Sequence, residues 1–263
     1  MKIKKISTLT IVTLILLIIL VNCKEHIDKI YTPFSSTSSK SNSSHLNNTV
    51  TSSNPEDIGE MANINLSTDI YQQYYINRVT TFMNTYSGSG KIVFLGDSLT
   101  DIAEWNELLN NPNVLNRGIS YDTTSGALNR ISEITRLKPS KIFIMLGIND
   151  IGKGLTPRNI INNYSKILES IKENSPNTTI YIQSVLPINK DLFKTTTTSK
   201  EITELNSSLK ELAKNFDIKY IDLYPLFTLP NENKLYKDYT VDGLHINGKG
   251  YIVWRDAVKD YCK

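Results

Sequence analysis

The sequence predicts an α/β protein, a three-layer α/β/α sandwich on a mostly parallel five-stranded sheet. Two observations carry this. Five short apolar runs, Ile92–Leu95, Val114–Leu115, Ile142–Leu146, Ile180–Val185 and Tyr220–Leu223, have the length and composition of strands buried on both faces. Segments with helical spacing lie between them, and that alternation builds a parallel sheet covered by helices on both sides.

The elements follow in order. Ile70, Tyr74, Val79, Phe82 and Met83 form an apolar stripe that predicts a helix over Thr68–Tyr86, and Gly88 and Gly90 then break it. Ile160, Ile161, Tyr164, Ile167, Leu168 and Ile171 fall on one face of a helix. Thr156 before Pro157 supplies a cap and a first-turn proline for it. Thr198 and Glu201 read as a capping box opening the next helix. A last helix is expected from about Asn247 to Tyr261. With 263 residues, 40% of them hydrophobic and 21% charged, the chain is long and apolar enough for a substantial core. A net charge of +3, without interleaved aromatic and basic residues, argues against a nucleic-acid partner.

The N-terminal quarter has a different character. Lys2, Lys4 and Lys5 precede an apolar run from Ile6 to Val21, the pattern of an export signal. The run is short of the roughly 20 apolar residues a spanning helix needs, although an uncleaved anchor is the alternative. It closes on Leu20-Val21-Asn22-Cys23, which resembles a bacterial lipoprotein signal and so implies a lipid on Cys23. Residues 1–23 are therefore expected to be a signal peptide or membrane anchor. Residues 24–62 form a tether rich in Ser, Thr and Asn, too polar to offset the entropy of ordering. The folded domain is expected over 63–263, exported and either held at a membrane or secreted. Cys262, the only other cysteine, then has no intramolecular partner, and no cysteine metal site exists.

Four short motifs fall at the ends of predicted strands or before the last helix. Gly96-Asp97-Ser98-Leu99 directly follows the first strand, where a tight turn can lift a serine hydroxyl to the top of the sheet; such a turn also serves as a plain helix cap. Asn116-Arg117-Gly118-Ile119 follows the second, and its glycine either lets the backbone approach a ligand or simply makes a turn. Gly147-Ile148-Asn149-Asp150 follows the third, placing an amide side chain where it can donate to a developing oxyanion or do no more than shape the turn. Asp242-Gly243-Leu244-His245 precedes the final helix. A serine must lose its proton to attack, an imidazole is the usual base, and a carboxylate holds the imidazole in the right tautomer. His26 and His45 lie in the leader and tether, which leaves His245 as the only histidine of the domain.

Taken in this order, the four motifs resemble the four blocks of the SGNH (GDSL-like) hydrolase superfamily, whose fold is flavodoxin-like. The resemblance covers about Lys91 to the C-terminus. It extends through residues 116–124, Gln183-Ser184-Val185-Leu186-Pro187 and residues 242–250. These stretches are similar to the branch holding platelet-activating-factor acetylhydrolase catalytic subunits and bacterial carbohydrate O-acetylesterases. The resemblance implies a serine esterase with Ser98 as nucleophile, His245 as base and Asp242 orienting it. It implies an oxyanion hole made of the Ser98 and Gly118 N–H groups and the Asn149 side chain. No metal or organic cofactor is required. Expected partners are a small-molecule or glycan ester, with short acyl groups such as acetyl on a carbohydrate, and a membrane reached through the N-terminal anchor or lipid. Ile148 stands where the family often has Thr, and Tyr121 where close relatives often have Gly, so Tyr121 narrows the pocket or adds a phenol to it. Two other readings remain open at this point: a lipid-directed esterase or lysophospholipase, and a glycan-binding surface lipoprotein without catalysis.

Overall fold

The computed structural model describes residues 70–85 and 88–263. The expected leader, Cys23, the tether and the domain boundary at residue 63 lie outside the described residues. Among the described residues no helix is long and apolar enough to cross a membrane.

The strands are β1 (Ile92–Gly96), β2 (Val114–Gly118), β3 (Lys141–Met145), β4 (Thr179–Gln183) and β5 (Lys219–Ile221). They form one all-parallel sheet in the order β2-β1-β3-β4-β5. The helices are α1 (Ile70–Asn84), α2 (Ser98–Asp101), α3 (Trp105–Leu108), α4 (Thr124–Asn129), α5 (Ile131–Thr135), α6 (Ile148–Gly152), α7 (Pro157–Asn174), α8 (Ser199–Asn215) and α9 (Gly248–Val258).

Side-chain alternation along the strands sends successive residues into two separate cores. Val93, Leu95, Ile142, Ile144, Ile180 and Ile182 pack with the apolar faces of α7 and α8. Ile92, Phe94, Phe143, Met145 and Tyr181 face the other way, onto Trp105, Tyr251 and Trp254. On that second face the rings stack across the strands, with Phe94 at 4.6 Å from Phe143 and Phe143 at 4.6 Å from Tyr181, centroid to centroid. Both faces of the sheet are thus dry, which is why its strands read as continuous apolar runs.

Local signals act as the sequence suggests. The Thr156 hydroxyl accepts from the Asn159 N–H, with Pro157 in the first turn of α7. Thr198 and Glu201 close a reciprocal capping box at α8. The last helix is shorter than expected. It starts after its cap, Asn247, and tightens into a 3₁₀ turn over Lys259–Cys262. The second strand is longer than its apolar run: Asn116, Arg117 and Gly118 all belong to β2. Gly118 is the register partner of Gly96 in β1, so it ends the strand rather than following it.

In a sheet of this order the chain leaves β1 and β3 toward opposite faces, opening a crevice beyond their carboxyl ends. Ser98 follows β1 and Asn149 follows β3, so both stand at that crevice.

Candidate active site

Ser98 opens α2 one residue after the turn of Gly96 and Asp97. The Asp97 carboxylate caps the helix by accepting the Leu99 N–H at 3.1 Å. Gly96 is required here, since a Cβ would lie 2.0 Å from the Thr100 hydroxyl and 2.8 Å from the Met145 carbonyl. The serine therefore sits low and nearly buried, at 9% exposure, with its hydroxyl reaching one partner.

That partner is His245, whose Nε2 lies 3.0 Å from Ser98 Oγ. The other ring nitrogen, Nδ1, lies 2.7 Å from Asp242 Oδ2. The second oxygen of Asp242 accepts the backbone N–H groups of Leu244 and His245 at 2.9 and 2.8 Å, so the carboxylate is fixed by its own turn. Burial acts to raise the Asp242 carboxyl, but hydrogen bonds from the His245 ring and from these two amides outweigh it. They hold the carboxyl below the usual carboxylate range. Thr240 closes the turn, donating to the His245 carbonyl at 2.7 Å and accepting the Gly243 N–H at 2.8 Å. Gly243 has φ +87°, and a Cβ there would meet the Asn189 carbonyl at 2.5 Å. A glycine between Asp242 and His245 is thus a steric necessity.

Asn149 lies in the first turn of α6, half-buried at the crevice. Its Nδ2 donates to the backbone carbonyl of Asp122 at 2.9 Å, which leaves the second amide hydrogen without a partner among the described residues. Asp122 is itself locked from behind. Its Oδ2 receives Nε and Nη2 of the fully buried Arg130 at 3.0 and 2.9 Å. Arg130 also donates to Glu133 at 3.0 Å and to the Arg117 carbonyl at 2.9 Å, at the end of β2. Arg117 Nε lies 3.3 Å from the other Glu133 oxygen, so two guanidinium groups and two carboxylates balance in the interior. Asp150 accepts the Thr124 hydroxyl at 2.5 Å and its N–H at 3.0 Å, pinning the start of α4 to α6. Asp122 and Asp150 lie inside the motif stretches, but nothing in the sequence gives either a part; Arg130, at the junction of α4 and α5, and Glu133, on α5, carry no local signal.

Gly118 is a correction. The expectation was a free N–H, but that N–H donates to the Asn116 side-chain carbonyl at 2.8 Å. The same Asn116 amide is spread over the carbonyls of Thr100, Asp101 and Ala103. A Cβ on Gly118 would lie 2.2 Å from the Asp101 nitrogen, so the glycine is there to let β2 touch α2. An unengaged amide occurs three residues on, at Tyr121. This residue has φ +66°, the conformation glycine favours, and its N–H has no hydrogen-bond partner among the described residues. It immediately precedes Asp122, whose carbonyl holds Asn149. The Ser98 N–H, at the first position of α2, is likewise unpaired among the described residues.

Beneath the nucleophile, burial pushes the Asp97 carboxyl up to about 7 against the lowering effect of the Leu99 hydrogen bond.

Comparison with known proteins fits this geometry. Residues 94–253 match the model of the GDSL-like Lipase/Acylhydrolase family. The chain belongs to that family. This GDSL-like acylhydrolase is a carboxylic ester hydrolase, and the match spans Ser98, Asn149, Asp242 and His245. It is similar to the rat platelet-activating factor acetylhydrolase IB subunit alpha2, at 26% identity over 61% of this chain and 70% of that protein. It is also similar to the N-acylneuraminate cytidylyltransferase of Escherichia coli, at 28% identity over 74% of this chain, although the chain spans under half, 45%, of that relative. Among solved structures, a candidate platelet activating factor from Streptococcus pneumonia superposes with a TM-score of 0.69 at 26% identity, covering 80% of this chain and all of that one. An acetyl xylan esterase, 19% identical with a TM-score of 0.57, covers 66% of this chain and 100% of its own and shares the fold.

Proposed function

We propose that this acylhydrolase cleaves short-chain esters, acetyl on a carbohydrate above all, through an acyl-enzyme on Ser98. The observation that carries the reading is the chain of contacts from Ser98 Oγ to His245 Nε2 at 3.0 Å and from His245 Nδ1 to Asp242 Oδ2 at 2.7 Å. His245 takes the serine proton as Oγ attacks the ester carbonyl, and Asp242, kept ionised by its turn, stabilises the imidazolium that forms. The developing oxyanion is met by three donors: the Ser98 N–H, the second amide hydrogen of Asn149 and the Tyr121 N–H in the place first expected of Gly118. Collapse of the tetrahedral intermediate sends the alcohol away with the proton from His245. Water, deprotonated by the same imidazole, then attacks the acyl-serine and releases the carboxylic acid.

Short acyl groups and a carbohydrate alcohol are supported by the acetylhydrolase and acetyl xylan esterase among the similar proteins. Action outside the cell, tied to a membrane through the leader or a lipid on Cys23, is supported by Lys2, Lys4, Lys5 and the apolar run that ends at Cys23. One feature favours a lipid ester instead: Val241, beside Asp242, is 83% exposed and Ile102, beside the nucleophile helix, 54%. Acetate release from acetylated xylan, set beside hydrolysis of p-nitrophenyl acetate and p-nitrophenyl palmitate, separates the two. The carbohydrate reading expects the first two substrates to be turned over and the palmitate to be poor; preference for palmitate overturns it.

A further inference from the structure

Helix α1 precedes the residues matched to the family, which begin at residue 94, yet it is fastened to the loop that carries Tyr121. The Tyr74 hydroxyl donates to Asp101 Oδ2 at 2.6 Å, and Arg78 pairs with Asp101 Oδ1 at 2.9 Å and donates to the Gly118 carbonyl at 3.3 Å. The Tyr75 hydroxyl donates to the Gly126 carbonyl at 2.8 Å. Residues 71, 74, 75 and 78 share one face of a helix, and the first of them, Tyr71, lies with its ring 4.0 Å from that of Tyr121 at an angle of 53°.

The loop between is clamped on both sides of Tyr121. Ser120 gives its N–H and hydroxyl to Asp101 Oδ2 at 3.0 and 2.7 Å, at the end of the helix that Ser98 begins. Asp122 holds Asn149. Tyr121 is therefore bracketed between nucleophile helix and Asn149, in a left-handed backbone conformation that a side-chain-bearing residue adopts at a cost glycine does not bear. Burial does not offset that cost, since Tyr121 is 54% and Tyr71 50% exposed. The neighbouring Tyr71 phenol raises the Tyr121 hydroxyl above the ordinary tyrosine value. The pair offers solvent an aromatic surface with polar tips, on the loop that joins the nucleophile helix to Asn149 and outside both cores.

We propose that Tyr71 and Tyr121 form a subsite for the sugar ring on the alcohol side of the ester, and so select acetylated pyranosides. This rests on the esterase reading given above. A pyranose presents a face of C–H groups and a rim of hydroxyls, which suits a tyrosine ring and its phenol together. A fatty chain, in contrast, needs an enclosed apolar slot to shed water, and these rings stand half open. Binding energy from such a remote part of the substrate is gained without touching the reacting carbonyl.

The test compares acetate release from glucose pentaacetate and from ethyl acetate, which has no ring, by the full chain and by its Tyr71→Ala and Tyr71→Phe variants. Loss of one aromatic contact should lower kcat/KM for the sugar ester about tenfold relative to ethyl acetate, chiefly through KM, and Phe should restore most of it. An equal fall on both esters makes Tyr71 a brace for α1 and overturns the subsite, as does no change on either. A parent that turns over neither ester counts against the esterase reading alone. The subsite is then judged by xylotetraose binding to the Ser98→Ala chain, followed by tyrosine fluorescence. Binding that Tyr71→Ala abolishes upholds it, and binding that is absent or indifferent to Tyr71 overturns it.

Discussion

The side-chain amide of Asn149 is tied to the backbone carbonyl of Asp122 across 2.9 Å, so one of its hydrogens is used for position and the other is left for a ligand. This makes Asn149 a donor fixed in place before substrate arrives, the condition under which a single donor matters most. Asn149→Ala should cut kcat by about 100- to 1,000-fold while the protein still folds. Turnover near that of the parent in a folded variant would remove Asn149 from the oxyanion hole.

Gly118 separates a packing role from an electronic one. An alanine keeps the N–H but brings a Cβ to 2.2 Å from the Asp101 nitrogen, backbone that cannot swing aside. Gly118→Ala should therefore destabilise the fold by about 1–3 kcal/mol of overpacking, read as a lower urea midpoint, and lose activity together with it. A variant with native stability and impaired turnover would return Gly118 to the oxyanion hole.

Asp97 links the ground beneath the nucleophile to pH. Its carboxyl is pushed up to about 7 in the folded chain, whereas an unfolded Asp titrates near 3.9. Between these values the folded state holds a proton the unfolded state has released, so stability falls as pH rises through that window. The urea midpoint of the parent should drop between about pH 4 and pH 7 by more than that of Asp97→Asn, which cannot titrate. Equal slopes for the two proteins contradict the assignment.

The sequence made the sheet legible because its strands are buried on both faces, and uninterrupted runs such as Ile142–Leu146 admit few other readings. Ser98, Asn149, Asp242 and His245 were legible because their motifs, weak singly, resemble the family's blocks when taken in order. What stayed hidden depends on contacts between distant segments. Arg130 reads as one charged residue in a helical stretch, and nothing local reveals that it locks Asp122 and the end of β2. Gly118 is deceptive for a related reason: in sequence its N–H looks available, but in the fold Asn116 bends back onto it. Tyr121 stands out in sequence as a tyrosine where relatives often have Gly, but its left-handed backbone and its contact with Tyr71, fifty residues earlier, belong to the fold.

The central claim is that Ser98, activated by His245, is the nucleophile, and p-nitrophenyl acetate hydrolysis by the parent, Ser98→Ala and His245→Ala chains tests it most directly. The account predicts turnover in the parent that falls by about 10,000-fold or more in each variant, with both variants folded. Hydrolysis that survives Ser98→Ala would place the chemistry elsewhere and contradict it.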